Sequence, residues 1–84
     1  MSSHAEKLFQ RFKNNPRDVR FHDLCRLAEK FGFVFKGGKG SHRVYGHPGI
    51  KEILTFQNVR GKVKPYQVKQ FLSVVQRYDL HLGE

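Results

Sequence analysis

Six consecutive residues, Gly37-Gly38-Lys39-Gly40-Ser41-His42, form the segment best suited to chemistry. The run is not a phosphate-binding Walker loop, because Gly-Lys-Ser/Thr and a following helix are missing. It also lacks the helix and spacing of a dinucleotide fingerprint. Taken alone it is a flexible hairpin tip whose backbone can approach a ligand closely. His42 closes the run among cations, and neighbouring positive charge favours the neutral imidazole, which can accept a proton. The other histidines, His4, His22, His47 and His81, have no such setting. A metal held by His42 and His47 across a hairpin is the weaker reading, since no Cys or carboxylate cluster completes a ligand set. No metal and no cofactor is expected.

The acids inform by their scatter. Glu6, Asp23, Glu29 and Asp79 are spread over helical segments, and Asp18, Glu52 and Glu84 are isolated. No paired carboxylates are available to a two-metal nuclease, and no Ser-His-Asp or Cys-His pairing is evident. RNA permits cleavage without a metal, because its own 2′-OH attacks the adjacent phosphate once a base removes the proton. One His and cations that stabilise the developing charge suffice for that.

Charge points the same way. Sixteen Lys and Arg against seven Asp and Glu give a net charge of +9. Such a field attracts polyanions, with nucleic acid the first candidate and an anionic membrane the second. The bland alternative is a solvated basic surface. Between Lys36 and Lys64 lie seven of the cations, Lys36, Lys39, Arg43, Lys51, Arg60, Lys62 and Lys64, and a single acid, Glu52. Lys39 and Arg43 are the candidates for the scissile phosphate, and the remaining five for the RNA backbone, where each contact releases counterions. Tyr45 is either a base-stacking residue or a half-buried strand residue. Ser41 either orients the site or belongs to the turn.

These residues need a scaffold, and 84 residues provide for one small domain. Eight Phe and three Tyr are enough for a core. The single Cys25 can form no internal disulfide and falls on an apolar helical stripe. No apolar run approaches the length of a membrane span, and the N-terminus has no apolar signal region, so a cytoplasmic chain without membrane contact is expected.

Ala5, Leu8, Phe9 and Phe12 have the spacing of one helical face, which predicts a helix over Ser3 to Asn14. Ser2 or Ser3 caps it and Asn14-Asn15-Pro16 stops it. Phe21, Leu24, Ala28 and Phe31, flanked by Cys25 and Leu27, predict a second helix ending at Gly32. Phe33 to Lys36, Ser41 to Gly46 and Glu52 to Phe56 are expected strands, with turns at Gly37–Gly40 and His47-Pro48-Gly49. Gln57 to Lys64 is expected to be a loop. Pro65 suits the first turn of a last helix, with Val68, Phe71, Leu72 and Val75 on its face, ending near Tyr78. The fold class is α+β, in the order α-α-β-β-β-α. A three-stranded antiparallel sheet is covered by helices in two layers. Residues 1–84 form one domain: a helical extension over 1–18, a core over 19–80 and a loose tail over 81–84. Strict alternation puts His42 and Val44 on one face of the sheet, so His42 would point towards the helices if Val44 is core. A position at the strand end, or a glycine-induced bulge, would keep it accessible.

Gly40-Ser41-His42-Arg43-Val44-Tyr45 followed by His47-Pro48 resembles the Gly-Ser-His hairpin of the HicA-type (YcfA-like) toxin family. Phe21 to Phe33, with its Phe-x-x-Leu opening and Phe-Gly-Phe ending, resembles that family's first core helix and strand. Leu54-Thr55-Phe56 resembles its third strand, and Val63 to Val68 stands where its last helix begins. The likeness covers roughly Val19 to Leu80. It implies a double-stranded-RNA-binding-like fold, ribonuclease activity on messenger RNA, a catalytic His at position 42, and a HicB-like antitoxin as partner. Two departures stand out. Residues 1–18 add a helix that a minimal member lacks, available to pack on the domain or to meet the antitoxin. Lys64-Pro65-Tyr66 replaces the usual Gly-Thr-Leu-like start of the last helix.

The leading expectation is a metal-independent endoribonuclease, the toxin of a toxin-antitoxin pair, monomeric when free, with His42 as general acid or base. Its rivals are a non-catalytic basic RNA-binding module and an interaction domain for an acidic protein. Turnover separates the first rival, and weak RNA binding would mark the second.

Overall fold

In the computed structural model, which describes residues 4–82, each expected helical face becomes a buried one. α1 (His4–Asn14) buries Leu8 and Phe12, with Ala5 and Phe9 packed beside them. The caps expected at Ser2 or Ser3 lie outside the described residues. α2 (Phe21–Lys30) buries Phe21, Leu24, Cys25, Leu27 and Ala28. It ends where Gly32 adopts φ 98°, which costs a residue without Cβ little. The Gly32 and Phe33 amides then donate to the Glu29 and Ala28 carbonyls. α3 (Pro65–Arg77) starts on its proline and buries Gln67, Val68, Phe71, Val74 and Val75.

β1 (Val34–Gly37), β2 (His42–Gly46) and β3 (Leu54–Gln57) form an antiparallel sheet in sequence order. α2 and α3 pack against the sheet, and α1 packs against α2. This is the α+β architecture in the expected order, and it is compatible with a double-stranded-RNA-binding-like fold. Tyr45, Leu54 and Phe56 point into the helices and are fully buried. They join a run of aromatic contacts, Phe9 to Phe31 (5.0 Å), Phe31 to Phe71 (5.7 Å), Phe71 to Phe56 (6.2 Å), Phe56 to Tyr45 (5.7 Å) and Tyr45 to Phe35 (5.9 Å). Offset and edge-on contacts of this kind add about 0.5–1.5 kcal/mol each to the area they bury. They cross the molecule from the N-terminal helix to the outer strand, so α1 is part of the same core.

Register settles the facing of His42. Arg43 pairs with Phe56, Val44 with Thr55 and Tyr45 with Leu54. Tyr45, not Val44, is the core residue of β2. Val44 and His42 therefore share the face away from the helices, since successive side chains alternate. A bulge does occur, but in the facing strand: Phe35 pairs with Tyr45 and Gly37 with Val44, leaving Lys36 as the extra residue.

Two segments are more ordered than expected. Asn58 to Lys62, read as loop, is a tight turn in which Val59 and Lys62 exchange both backbone hydrogen bonds (2.8 and 3.0 Å). Arg60 and Gly61 at its tip have φ 54° and 85°, and the Gly61 amide donates to Asn58 Oδ1 (2.6 Å). The Phe21 and Val63 amides donate to the Gly61 and Val19 carbonyls, tying this turn to the connector before α2. Leu82, within the tail expected to be loose, is packed against the core with Leu80. None of the described helices is long and apolar enough to cross a membrane.

Candidate active site

His42 is the first residue of β2, exposed on the helix-free face at the tip of the β1–β2 hairpin. Its backbone is held from three sides. Its amide donates to the Lys39 carbonyl (3.0 Å), and the preceding Ser41 carbonyl accepts from the Asn58 amide (2.8 Å). Across the sheet it pairs with Gln57, whose amide donates to Oε1 of the buried Gln67 in α3 (3.0 Å). From the fourth side, Gly38 lies against the His42 carbonyl so closely that a Cβ at position 38 would overlap that oxygen. The main chain at His42 is thus fixed by β3, α3 and its own turn, while the imidazole stands in solvent.

Several expected site residues gather at this end of the sheet. Lys39 and Ser41 are exposed in the hairpin tip. Lys36 is exposed too, but its stem runs over the bare Gly46, at the other end of β2 from His42. Because β3 ends at the partner of His42, the turn carrying Arg60 and the start of α3 carrying Lys64 lie at the same end. Lys62 is there too, but it is engaged. Its Nζ lies 2.8 Å from Asp18 Oδ1, and that hydrogen bond and charge hold the Asp18 carboxyl below its usual range.

Three more expected residues are placed elsewhere. Tyr45 is fully buried and its hydroxyl donates to Glu29 Oε2 (2.9 Å), so the base-stacking reading is corrected: no ring face is open to a base. Burial first, then hydrogen bonds to Cys25 and Glu29, push this phenol well above its ordinary range. Arg43 does not share a phosphate with His42 from one face. It projects to the helix side, where its guanidinium stacks over the Phe35 ring at 4.5 Å. Lys51 follows the far end of β2, where Gly46 is about 13 Å along the strand from His42 at the usual rise per residue.

His47 is structural. Its Nδ1 accepts from the Gly49 amide (2.9 Å), and its ring packs on Phe33 (5.2 Å) and against Gly32. Among the described residues no three His, Cys, Asp or Glu side chains group closely enough to hold a metal. Two further acids are engaged away from His42: Glu52 with Arg77 (3.1 Å) and Asp79 with His81 (3.6 Å).

Two residues went unnoticed in the sequence. Gln67 sits at a helix position that otherwise reads as polar surface, and only the partner of its side chain reveals its role. Phe35 falls within an expected strand with no facing assigned, and it is 46% exposed. It belongs to an edge strand, and the sequence signal for an edge, the glycine-rich bulge two residues later, was present.

A family model described as the HicA toxin of bacterial toxin-antitoxin systems matches residues 21–76, from the start of α2 to the last turn of α3. No curated protein and no solved structure matches the chain. The family match leaves α1 outside its span.

Proposed function

The chain belongs to the HicA toxin family, and from that premise we propose that it is a metal-independent endoribonuclease acting on messenger RNA, with His42 as general acid and base. The carrying observation is the setting of His42: exposed side chain, fixed main chain, cations from three segments at the same end of the sheet. Membership of the family implies an antitoxin partner, which we take to be HicB-like.

The chemistry follows from the substrate. His42 accepts the proton of a ribose 2′-OH. The 2′-oxygen attacks phosphorus, the P–O5′ bond breaks, and the departing 5′-oxygen takes back the proton from the imidazolium. The products are a 2′,3′-cyclic phosphate and a 5′-OH end. Lys39 at the tip stabilises the charge that grows on the phosphorane oxygens. Arg60 and Lys64 track the flanking backbone. Ser41 contributes through its carbonyl, which anchors the tip to Asn58. General acid–base catalysis contributes about 10²–10⁴-fold, so removing the imidazole has a large effect without touching the cations.

The test is cleavage of a labelled messenger RNA in EDTA by wild type and His42→Ala. Wild type cuts, and a folded His42→Ala variant binds RNA with similar affinity but does not cut. Absence of cleavage by folded wild type freed of any partner overturns the nuclease and leaves a non-catalytic RNA-binding module. Cleavage abolished by EDTA overturns metal independence.

A further inference from the structure

On the opposite side of β2 from His42, three groups converge with binding capacity left over. Phe35 is half exposed on the edge strand, with its ring 5.9 Å from Tyr45 on one side and the Arg43 guanidinium 4.5 Å above it. Arg43 makes no ion pair among the described residues, so no carboxylate holds its N–H donors, and only one face of its plane covers Phe35. Glu29, exposed at the edge of α2, accepts the Tyr45 hydroxyl on Oε2 and has no ion-pair partner either. Tyr45 joins them: its hydroxyl reaches Glu29 and its ring meets that of Phe35, which Arg43 covers.

We propose that this cluster is a nucleobase-binding site, in which one unpaired base next to the scissile phosphate stacks on Phe35 and Arg43 and turns an N–H edge towards Glu29. The inference rests on the ribonuclease reading and supplies its base-recognition element. The chemistry is specific to a flat, π-rich ligand with hydrogen-bonding edges. Aromatic rings and guanidinium planes are the surfaces on which unpaired RNA bases stack. An ionised carboxylate only accepts hydrogen bonds, so it favours the base that offers the most N–H donors on one edge, which is guanine with its adjacent N1–H and N2–H groups. The guanidinium donates to ring nitrogen and carbonyl acceptors on the same base.

Position supports the assignment. His42 and Arg43 are consecutive, with Cα atoms about 3.8 Å apart, and their side chains leave opposite faces of β2. An RNA strand crossing the hairpin tip places a phosphate at His42 and an adjacent base at Arg43. The tip leaves room for that crossing: Cβ atoms built at Gly37 and Gly40 meet nothing within 4 Å. The site also explains why an aromatic residue is left open on an edge strand that a bulge and Lys36 otherwise protect.

The experiment compares wild type with Phe35→Ala, Phe35→Leu, Phe35→Tyr and Glu29→Gln. The probes are single-stranded oligoribonucleotides of about a dozen residues, intact or carrying one abasic ribose at each position beside the cut. Phe35→Ala is expected to raise KM about tenfold, the scale of one lost base–aromatic stack, with a smaller change in kcat. Phe35→Tyr restores the wild-type value and Phe35→Leu does not. An abasic residue at a single flanking position costs wild type the same factor and costs Phe35→Ala nothing further. Glu29→Gln redistributes cut sites among bases at that position. Wild-type KM and cut sites in Phe35→Ala, or full rescue by Phe35→Leu, overturn the site while leaving the nuclease intact. Phe35→Ala that cleaves normally but resists the antitoxin also overturns it, and makes Phe35 a protein contact. Wild type that neither binds nor cuts the oligonucleotides overturns the site together with the reading beneath it.

Discussion

Gly38 and Tyr45 show how much single atoms matter here. A Cβ at Gly38 would overlap the carbonyl oxygen of His42, so any side chain there must push the start of β2 away from the tip. Misplacing a catalytic group by an ångström can cost about a hundredfold in rate. We predict that Gly38→Ala lowers kcat by about that factor while the circular dichroism of the folded chain stays unchanged, a combination read from paired turnover and spectra. Gly37 and Gly40 meet no such overlap, so Ala there adds only the backbone strain of φ 120° and 59° and lowers kcat less in the same assay. Tyr45 supplies a second prediction. Its phenol is raised above an ordinary value of 10.0 by burial and by hydrogen bonds to Cys25 and Glu29. A raised folded value means the stabilisation is complete below pH 10 and is lost as pH climbs above it, when the unfolded phenol ionises first. The urea midpoint of wild type therefore falls between pH 9 and pH 11 by more than that of Tyr45→Phe. The candidate histidine was legible in the sequence from its glycines and cations. The burial of Tyr45 was not, because alternation gives two faces and leaves open which one the helices cover.

At the scale of elements, the helices were the most legible part. Three amphipathic stripes state their own period, and every residue named for the α2 stripe is buried. The strands were less so. Phe33 and Phe35 look equivalent in sequence, yet Phe33 is 2% exposed and Phe35 46% exposed, because Phe33 precedes the strand and inserts beside Phe71. The turn at Asn58–Lys62 was missed because its polar composition reads as solvent-exposed loop, whereas its backbone bonds run to the connector before α2. α1 lies outside the family match, yet Leu8 and Phe12 are 6% and 3% exposed and Phe9 meets Phe31 edge-on. We predict that Phe12→Ala destabilises the chain by about 3–5 kcal/mol, the usual cost of a large buried aromatic, measured by urea denaturation. A helix serving only as a docking arm would lose less than about 0.5 kcal/mol, as surface positions do. Under native conditions the surviving folded fraction should cleave at the wild-type rate, because Phe12 belongs to α1 and the groups that hold His42 come from the hairpin tip, β3, the turn after it and α3.

For the molecule as a whole, the net charge of +9 says that a polyanion is attracted but not where it would lie. The fold divides the cations into those at the His42 end of the sheet and those remote from it. Arg60 and Lys64 are at the near end, and Lys51 follows the far end of β2. Lys62 is near but held by Asp18 at 2.8 Å. Both partners of that pair are exposed, so the bridge adds little to folding, and its consequence is electrostatic: one acid sits beside the path of the backbone. Each phosphate contact on a single strand contributes about −0.7 to the slope of log K against log salt. We predict that Arg60→Gln makes the slope shallower by about 0.7 and Lys51→Gln leaves it unchanged, in titrations of a labelled single-stranded RNA with catalytically inactive His42→Ala protein. Asp18→Asn should work in the opposite direction, freeing Lys62 to meet a phosphate and steepening the slope by about the same amount. Equal losses at Lys51 and Arg60 would mean that the whole basic surface attracts RNA without a path. Unequal losses in the stated order, with Asp18→Asn opposed, would trace the strand past His42 and over the turn that carries Arg60.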